Sequence, residues 1–132
     1  SITKEISLPN DVRWVTNSSE YSILCEQIYK NAWQNLSQTL KNSDSDACII
    51  MDLDETVLDN SKYQIGLAEK NETYNPESWS EWVNLKEADL VPGAKDFIDK
   101  VRQTNVKITS NTLGSDWRYG TLRLDIKPDG GR

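Results

Sequence analysis

Ala47-Cys48-Ile49-Ile50-Met51-Asp52-Leu53-Asp54-Glu55-Thr56 is the stretch that decides the fold. A polar run, Asn42 to Asp46, precedes it as a loop. Ala47 to Met51 is then continuously apolar, the pattern of a strand buried on both faces, as in a parallel sheet. Asp52 to Thr56 leaves the carboxyl end of that strand. Carboxyl strand ends are where open α/β sheets place their ligands.

Two carboxylates with one residue between them, at such a position, suggest chemistry on a phosphate ester. Asp52, first after the strand, is the natural nucleophile for phosphorus, giving an aspartyl-phosphate. Asp54 is placed to protonate the leaving oxygen and then to activate water. Such neighbours repel unless a cation holds them charged. Mg²⁺, a hard ion that takes oxygen ligands and bridges a carboxylate to the substrate phosphate, is the expected cofactor. The N–H groups of the loop, closed by Thr56, are expected to add donors to the phosphoryl oxygens. Two other readings exist: a solvated surface loop, and a calcium-binding EF-hand. The second is opposed by Val57 where the hand needs Gly and by Tyr63 where it needs a bidentate Glu.

Working outward, Asn17-Ser18-Ser19-Glu20 resembles a capping box with Asn17 as N-cap. Tyr21, Leu24, Cys25, Ile28, Ala32, Leu36 and Leu40 then recur at helical spacing, so a helix is expected over 18–41. The segment before it, with Pro9, reads as irregular. Residues 58–90 are polar and aromatic and read as short helices in a cap-like insertion over the strand tip. Val91-Pro92-Gly93-Ala94 starts a further helix, whose buried stripe is Ala94, Phe97, Ile98 and Val101. Val106 to Thr109 is a second strand ending at Ser110-Asn111. Strand, insertion, helix, strand is a βαβ pattern with a right-handed crossover as its default. Leu122, Leu124 and Ile126 suggest a half-exposed strand inside an atypical tail, 113–132.

Composition narrows the function classes. The 132 residues suit one domain; charged residues are 27%, and the net charge of −6 without a long basic run argues against nucleic acid as a partner. No histidine is present, which removes Ser-His-Asp and Cys-His catalysis and histidine-ligated zinc. Cys25 and Cys48 read as small core residues rather than a disulfide. No apolar run approaches the roughly 20 residues of a transmembrane helix.

Asp52-Leu53-Asp54-Glu55-Thr56-Val57-Leu58-Asp59-Asn60-Ser61 resembles the first motif of the haloacid dehalogenase superfamily. Its Asp-Glu-Thr-x-Leu-Asp-Asn extension resembles the class B/C acid phosphatases, especially the bacterial lipoprotein and plant-type enzymes. Trp14 with Ser19-Glu20-Tyr21, Trp79-x-x-Trp82-Val83 and Val91-Pro92-Gly93-Ala94 agree with that branch, so the likeness runs from about Trp14 to Asn111. The resemblance implies a Rossmann-like α/β fold with a parallel sheet and a small helical cap. It implies a Mg²⁺-dependent acid phosphatase acting on small phosphate monoesters, nucleoside monophosphates among them. Asp52 is then nucleophile and metal ligand. Asp54 is acid and base, and lends its main-chain carbonyl to the metal. Ser110 and Asn111 contact the phosphoryl group. Tyr63, Trp79 and Trp82 would line the leaving-group pocket, where a ring can stack on a base; packing within the core or the insertion is the alternative for them. Relatives of this kind are usually exported or lipid-anchored.

The later motifs depart from the family. Thr112 stands where Arg usually follows Ser-Asn, and no Gly-Asp comes after Asn111. Lys127 is the one late lysine, and Asp116, Asp125 and Asp129 lack matching context. Two strands also fall short of the about five of a doubly wound core, so an incomplete core is expected. The alternative function is a non-catalytic or truncated relative that binds phosphate ligands or serves as a store or scaffold.

Overall fold

A computed structural model describes residues 6–41 and 47–111. Elements follow in the order α1 (Asn10–Asn17), α2 (Ser19–Lys41), β1 (Cys48–Asp52), β2 (Leu58–Asp59), α3 (Ser61–Lys70), α4 (Pro76–Leu85), β3 (Asp89–Leu90), α5 (Ala94–Arg102) and β4 (Lys107–Asn111). β1 and β4 are parallel neighbours, with Ile49 opposite Ile108, Met51 opposite Ser110 and Asp52 opposite Asn111. β2 and β3 form a separate two-residue antiparallel pair, Leu58 opposite Leu90 and Asp59 opposite Asp89. Helices α3 and α4 are inserted between those two short strands. The architecture is a mixed α/β fold with a parallel sheet, as expected.

Helix α5 folds as its spacing predicts: Ala94, Phe97, Ile98 and Val101 are all buried. It starts at Gly93, whose φ of 87° lies in the left-handed region. A Cβ there would stand 3.0 Å from the Glu26 Cα and 3.1 Å from the Tyr29 Cβ, so glycine also lets α2 approach closely. Helix α4 has Asn75 as N-cap, accepting from the Ser78 N–H at 2.8 Å, and Pro76 at its first position.

Four local expectations are corrected. Residues 10–17 are helical, with Pro9 as N-cap rather than as a break. Asn17 therefore ends α1, and the cap of α2 is Ser18, whose Oγ accepts from the Tyr21 N–H at 3.2 Å. The packing stripe of α2 is rotated: Tyr29, Trp33 and Leu36 lie against the core, while Leu24 and Ile28 are 49% and 65% exposed. Two tandem aromatics outweigh the aliphatic set one position away, because they bury more apolar area against α5. Finally, β1 is covered on one face only. Ile49 and Met51 meet the core, whereas Ile50 is 72% exposed and Cys48 is exposed. Among the described residues, no element lies on the Ile50 face, so Cys48 is a surface thiol rather than a core residue.

The core joins Met51, Leu53, Val57 and Leu58 to Tyr63, Leu67 and Trp82 of the insertion and to Phe97, Ile98 and Val101 of α5. The loop after β1 is thus built on buried residues from three directions. No described helix is long and apolar enough to cross a membrane.

Candidate active site

Asp52 is the last residue of β1 and is exposed, at the carboxyl end of the parallel pair. Across the ladder stands Asn111, and one step back Ser110 faces Met51. The side chain of Ser110 is turned to the covered side and its Oγ is buried, with no hydrogen-bond partner among the described residues. An unpaired buried hydroxyl costs about 1–3 kcal/mol, so such groups in native folds need an explanation.

The loop that follows is a tight turn. The Val57 and Leu58 N–H groups both donate to the Leu53 carbonyl at 2.9 Å, and the Glu55 N–H donates to the Leu58 carbonyl at 2.8 Å. Closing it places Glu55 at φ 60°, a left-handed conformation that a residue with a Cβ adopts at a cost. Leu53, Val57 and Leu58 anchor the turn below and are 5%, 0% and 2% exposed. Alternate side chains therefore point into the core, while Asp52 and Asp54 are left at the tip. The N–H groups of Glu55, Val57 and Leu58 are used inside the turn, which narrows the expected phosphate donors to the other main-chain N–H groups of the loop. Thr56 is half-buried, and its carbonyl accepts from the Tyr29 hydroxyl at 2.5 Å. Burial pushes the Tyr29 phenol up to about 12, with the neighbouring Cys25 thiol adding to the rise.

Asn60, not singled out from the sequence, is a central residue of the site. It is 1% exposed. Its Nδ2 donates to Asp54 Oδ1 at 3.0 Å, its main-chain N–H donates to Glu55 Oε1 at 3.3 Å, and its Oδ1 accepts from Trp82 Nε1 at 2.9 Å. Its place in the Leu-Asp-Asn-Ser extension was the available signal; the partner Trp82, 22 residues on, was not legible. Asp59 accepts from the Ser61 N–H at 2.8 Å, which fixes the entry to α3.

The aromatic residues divide. Tyr63 and Trp82 are 7% and 8% exposed and belong to the core. The Tyr63 hydroxyl is paired with the Ser78 Oγ at 2.8 Å and the Trp82 indole with Asn60, so these two rings take the packing role. Trp79 is half-buried, edge-on to Tyr63 with centroids 5.2 Å apart, and has the exposed Tyr74 beside it at 6.4 Å.

Asp52, Asp54, Glu55 and Asp59 crowd negative charge into one turn and its exit. No cluster of three or more metal-ligating side chains occurs among the described residues. Asp52 and Asp54 supply an all-oxygen donor set of the kind a hard divalent cation takes alongside water and phosphate, and so fit part of such a shell. Lys127, Asp116, Asp125, Asp129 and the tail strand lie outside the described residues.

A groove of about 420 Å³ lies elsewhere, between α2 and α5, lined by Tyr29, Trp33, Phe97 and the rim charges Lys30, Lys95 and Asp99. It contains none of the acidic-loop residues.

Comparison with known proteins agrees with the fold. Two solved structures of the class C acid phosphatase from Bacillus anthracis, one with tungstate bound, each superpose with a TM-score of 0.70 at 33% identity. Each alignment covers 76% of this chain and 44% of the phosphatase, so the chain spans less than half the length of those relatives. Residues 4–113 match the family described as HAD superfamily, subfamily IIIB (Acid phosphatase). The chain belongs to the haloacid dehalogenase superfamily, in its subfamily IIIB of acid phosphatases.

Proposed function

We propose that this chain carries the nucleophile and acid–base part of a phosphatase for small phosphate monoesters, working through an aspartyl-phosphate on Asp52. The observation that carries the reading is an exposed Asp52 and a buried Ser110 hydroxyl, without a hydrogen-bond partner among the described residues, at the same end of two parallel strands. A phosphoryl group bonded to Asp52 brings acceptor oxygens to that hydroxyl, which then has a partner. Asp54 protonates the leaving oxygen and afterwards takes a proton from the attacking water. A divalent cation, Mg²⁺ in our reading, supplies positive charge to the phosphoryl oxygens when bound, held by Asp52 and by Asp54. Asn111 is the proposed second contact to phosphate. Among the aromatic residues, Trp79 with Tyr74 is the pair suited to stack on a leaving group, which favours aryl or nucleoside monophosphates.

The test is hydrolysis of an aryl phosphate by the whole chain with and without Mg²⁺, beside Asp52→Asn. Turnover that disappears in Asp52→Asn and in excess chelator is expected. Turnover that persists in Asp52→Asn sinks the proposal. Calorimetric titration with Mg²⁺ and beryllofluoride separates a non-catalytic relative, which would bind the pair without hydrolysing the ester.

A further inference from the structure

We propose that Tyr29 of α2 is a positioning residue for the acidic turn, and that its hydroxyl, acting through one peptide group, fixes Leu53 between Asp52 and Asp54. The role rests on the reading of Asp52 as nucleophile, and it falls to a helix that holds none of the proposed site residues.

A peptide group is planar, so a C=O and the N–H that follows it move as one body. The Tyr29 hydroxyl donates to the Thr56 carbonyl at 2.5 Å. The other end of that same plane is the Val57 N–H, which donates to the Leu53 carbonyl at 2.9 Å. The Leu53 carbonyl in turn shares a plane with the Asp54 N–H. Two hydrogen bonds and two rigid planes therefore run from α2 to the residue between the two aspartates. The next carbonyl, that of Val57, accepts from the Val91 N–H at 2.9 Å, so the segment leading into α5 holds the same limb of the turn. Glu55 makes such bracing necessary. At φ 60° it stands in a conformation that it leaves if its neighbours yield.

Packing aims the hydroxyl. The Tyr29 ring lies against Phe97, with centroids 5.4 Å apart. A Cβ added at Gly93 would stand 3.1 Å from the Tyr29 Cβ and 3.2 Å from its Cδ2, so the ring has little room to swing toward α5. Trp33 and Leu36, further along α2, pack against the core and fix the rotation of the helix. Phenylalanine at position 29 satisfies all of these contacts. The hydroxyl is the one part of the side chain that the packing does not require, and its partner is the turn.

Attack on phosphorus depends on the aim of the attacking carboxylate, and a misplacement of about 1 Å can cost on the order of 100-fold in rate. Loss of the tether is therefore expected in kcat rather than in KM. The experiment is steady-state hydrolysis of p-nitrophenyl phosphate by the full chain with Mg²⁺, at a temperature where every variant is folded by circular dichroism. Tyr29→Phe is expected to lower kcat roughly 10-fold, with KM changed by less than about 2-fold. Replacement of Tyr29 by 3-fluorotyrosine, at mildly acidic pH where the added hydroxyl keeps its proton, is expected to return kcat to near the parent value. Thr104→Val removes a hydroxyl that donates to the Val101 carbonyl at 2.6 Å, beyond the far end of α5. It is expected to lose stability and leave kcat unchanged. Unchanged kcat in Tyr29→Phe, an equal fall in Thr104→Val, or failure of the 3-fluorotyrosine rescue overturns the positioning role.

A second readout needs no turnover. In calorimetric titration with Mg²⁺ and beryllofluoride, Tyr29→Phe is expected to bind roughly 10-fold more weakly than the parent, and equal affinity overturns the role. Parent activity that persists in Asp52→Asn removes the reading of Asp52 and this role with it. Activity lost in Asp52→Asn but kept in Tyr29→Phe removes this role alone.

Discussion

The hydroxyl of Tyr29 donates to the main-chain carbonyl of Thr56 at 2.5 Å, across 27 residues, so helix α2 holds the acidic turn from behind. The bond joins an aromatic packed against the core to the loop that carries the proposed nucleophile. Tyr29→Phe leaves the ring against Phe97 and removes this tether alone. A loss of about 1 kcal/mol in urea unfolding is expected, with hydrogen exchange in residues 53–58 rising more than in α5. Uniform exchange would show that the bond does not restrain the turn.

The same phenol gives a pH dependence with a definite sign. Its pKa in the fold is raised to about 12 from an ordinary 10, by burial first and by Cys25 second. The unfolded chain therefore loses this proton first as pH rises. Stability from this source is complete below pH 10 and falls between 10 and 12. Tyr21, also raised by burial, acts in the same direction. The melting temperature of the native chain is expected to drop over that window more steeply than that of Tyr29→Phe.

Ser110→Ala separates a binding group from a structural one. Its hydroxyl is buried without a partner among the described residues, so its removal relieves a desolvation cost. The ligand-free variant is expected to melt at the same temperature or slightly above the parent. Affinity for a phosphate mimic is expected to fall roughly 10-fold, the worth of about one charge-assisted hydrogen bond. A variant that melts lower and binds equally well would make Ser110 a packing residue.

Gly93→Ala is expected to destabilise by about 2 kcal/mol or more. The substitution puts a Cβ on a residue at φ 87° and drives it to 3.0 Å from the Glu26 backbone. Chemical denaturation measures this directly; a change under about 0.5 kcal/mol would mean that α2 and α5 separate easily.

The legible parts of the fold are those where one residue class repeats against one background. The apolar run before Asp52 marked β1, and the stripe of Ala94, Phe97, Ile98 and Val101 marked α5, because each pattern allows one packing face. Helix α2 was legible as a helix but not in its orientation. Leu24, Ile28 and Ala32 on one line and Tyr29, Trp33 and Leu36 on the next satisfy helical spacing equally well, and only contact with α5 chooses between them. The acidic pair could be placed from its own neighbours. The support beneath it could not, since Asn60 acquires its partner when α4 folds back and brings Trp82 to it. Which N–H groups of the turn its own closure uses, those of Glu55, Val57 and Leu58, was likewise not legible.

The uncovered Ile50 bears on how this protein is handled in solution. An isoleucine 72% open to water, on a strand whose only described neighbour is β4, is expected to favour self-association as the chain is concentrated. Specific activity and apparent mass therefore belong on a dilution series, because a sample that clumps through that patch would misstate how many working tips it contains.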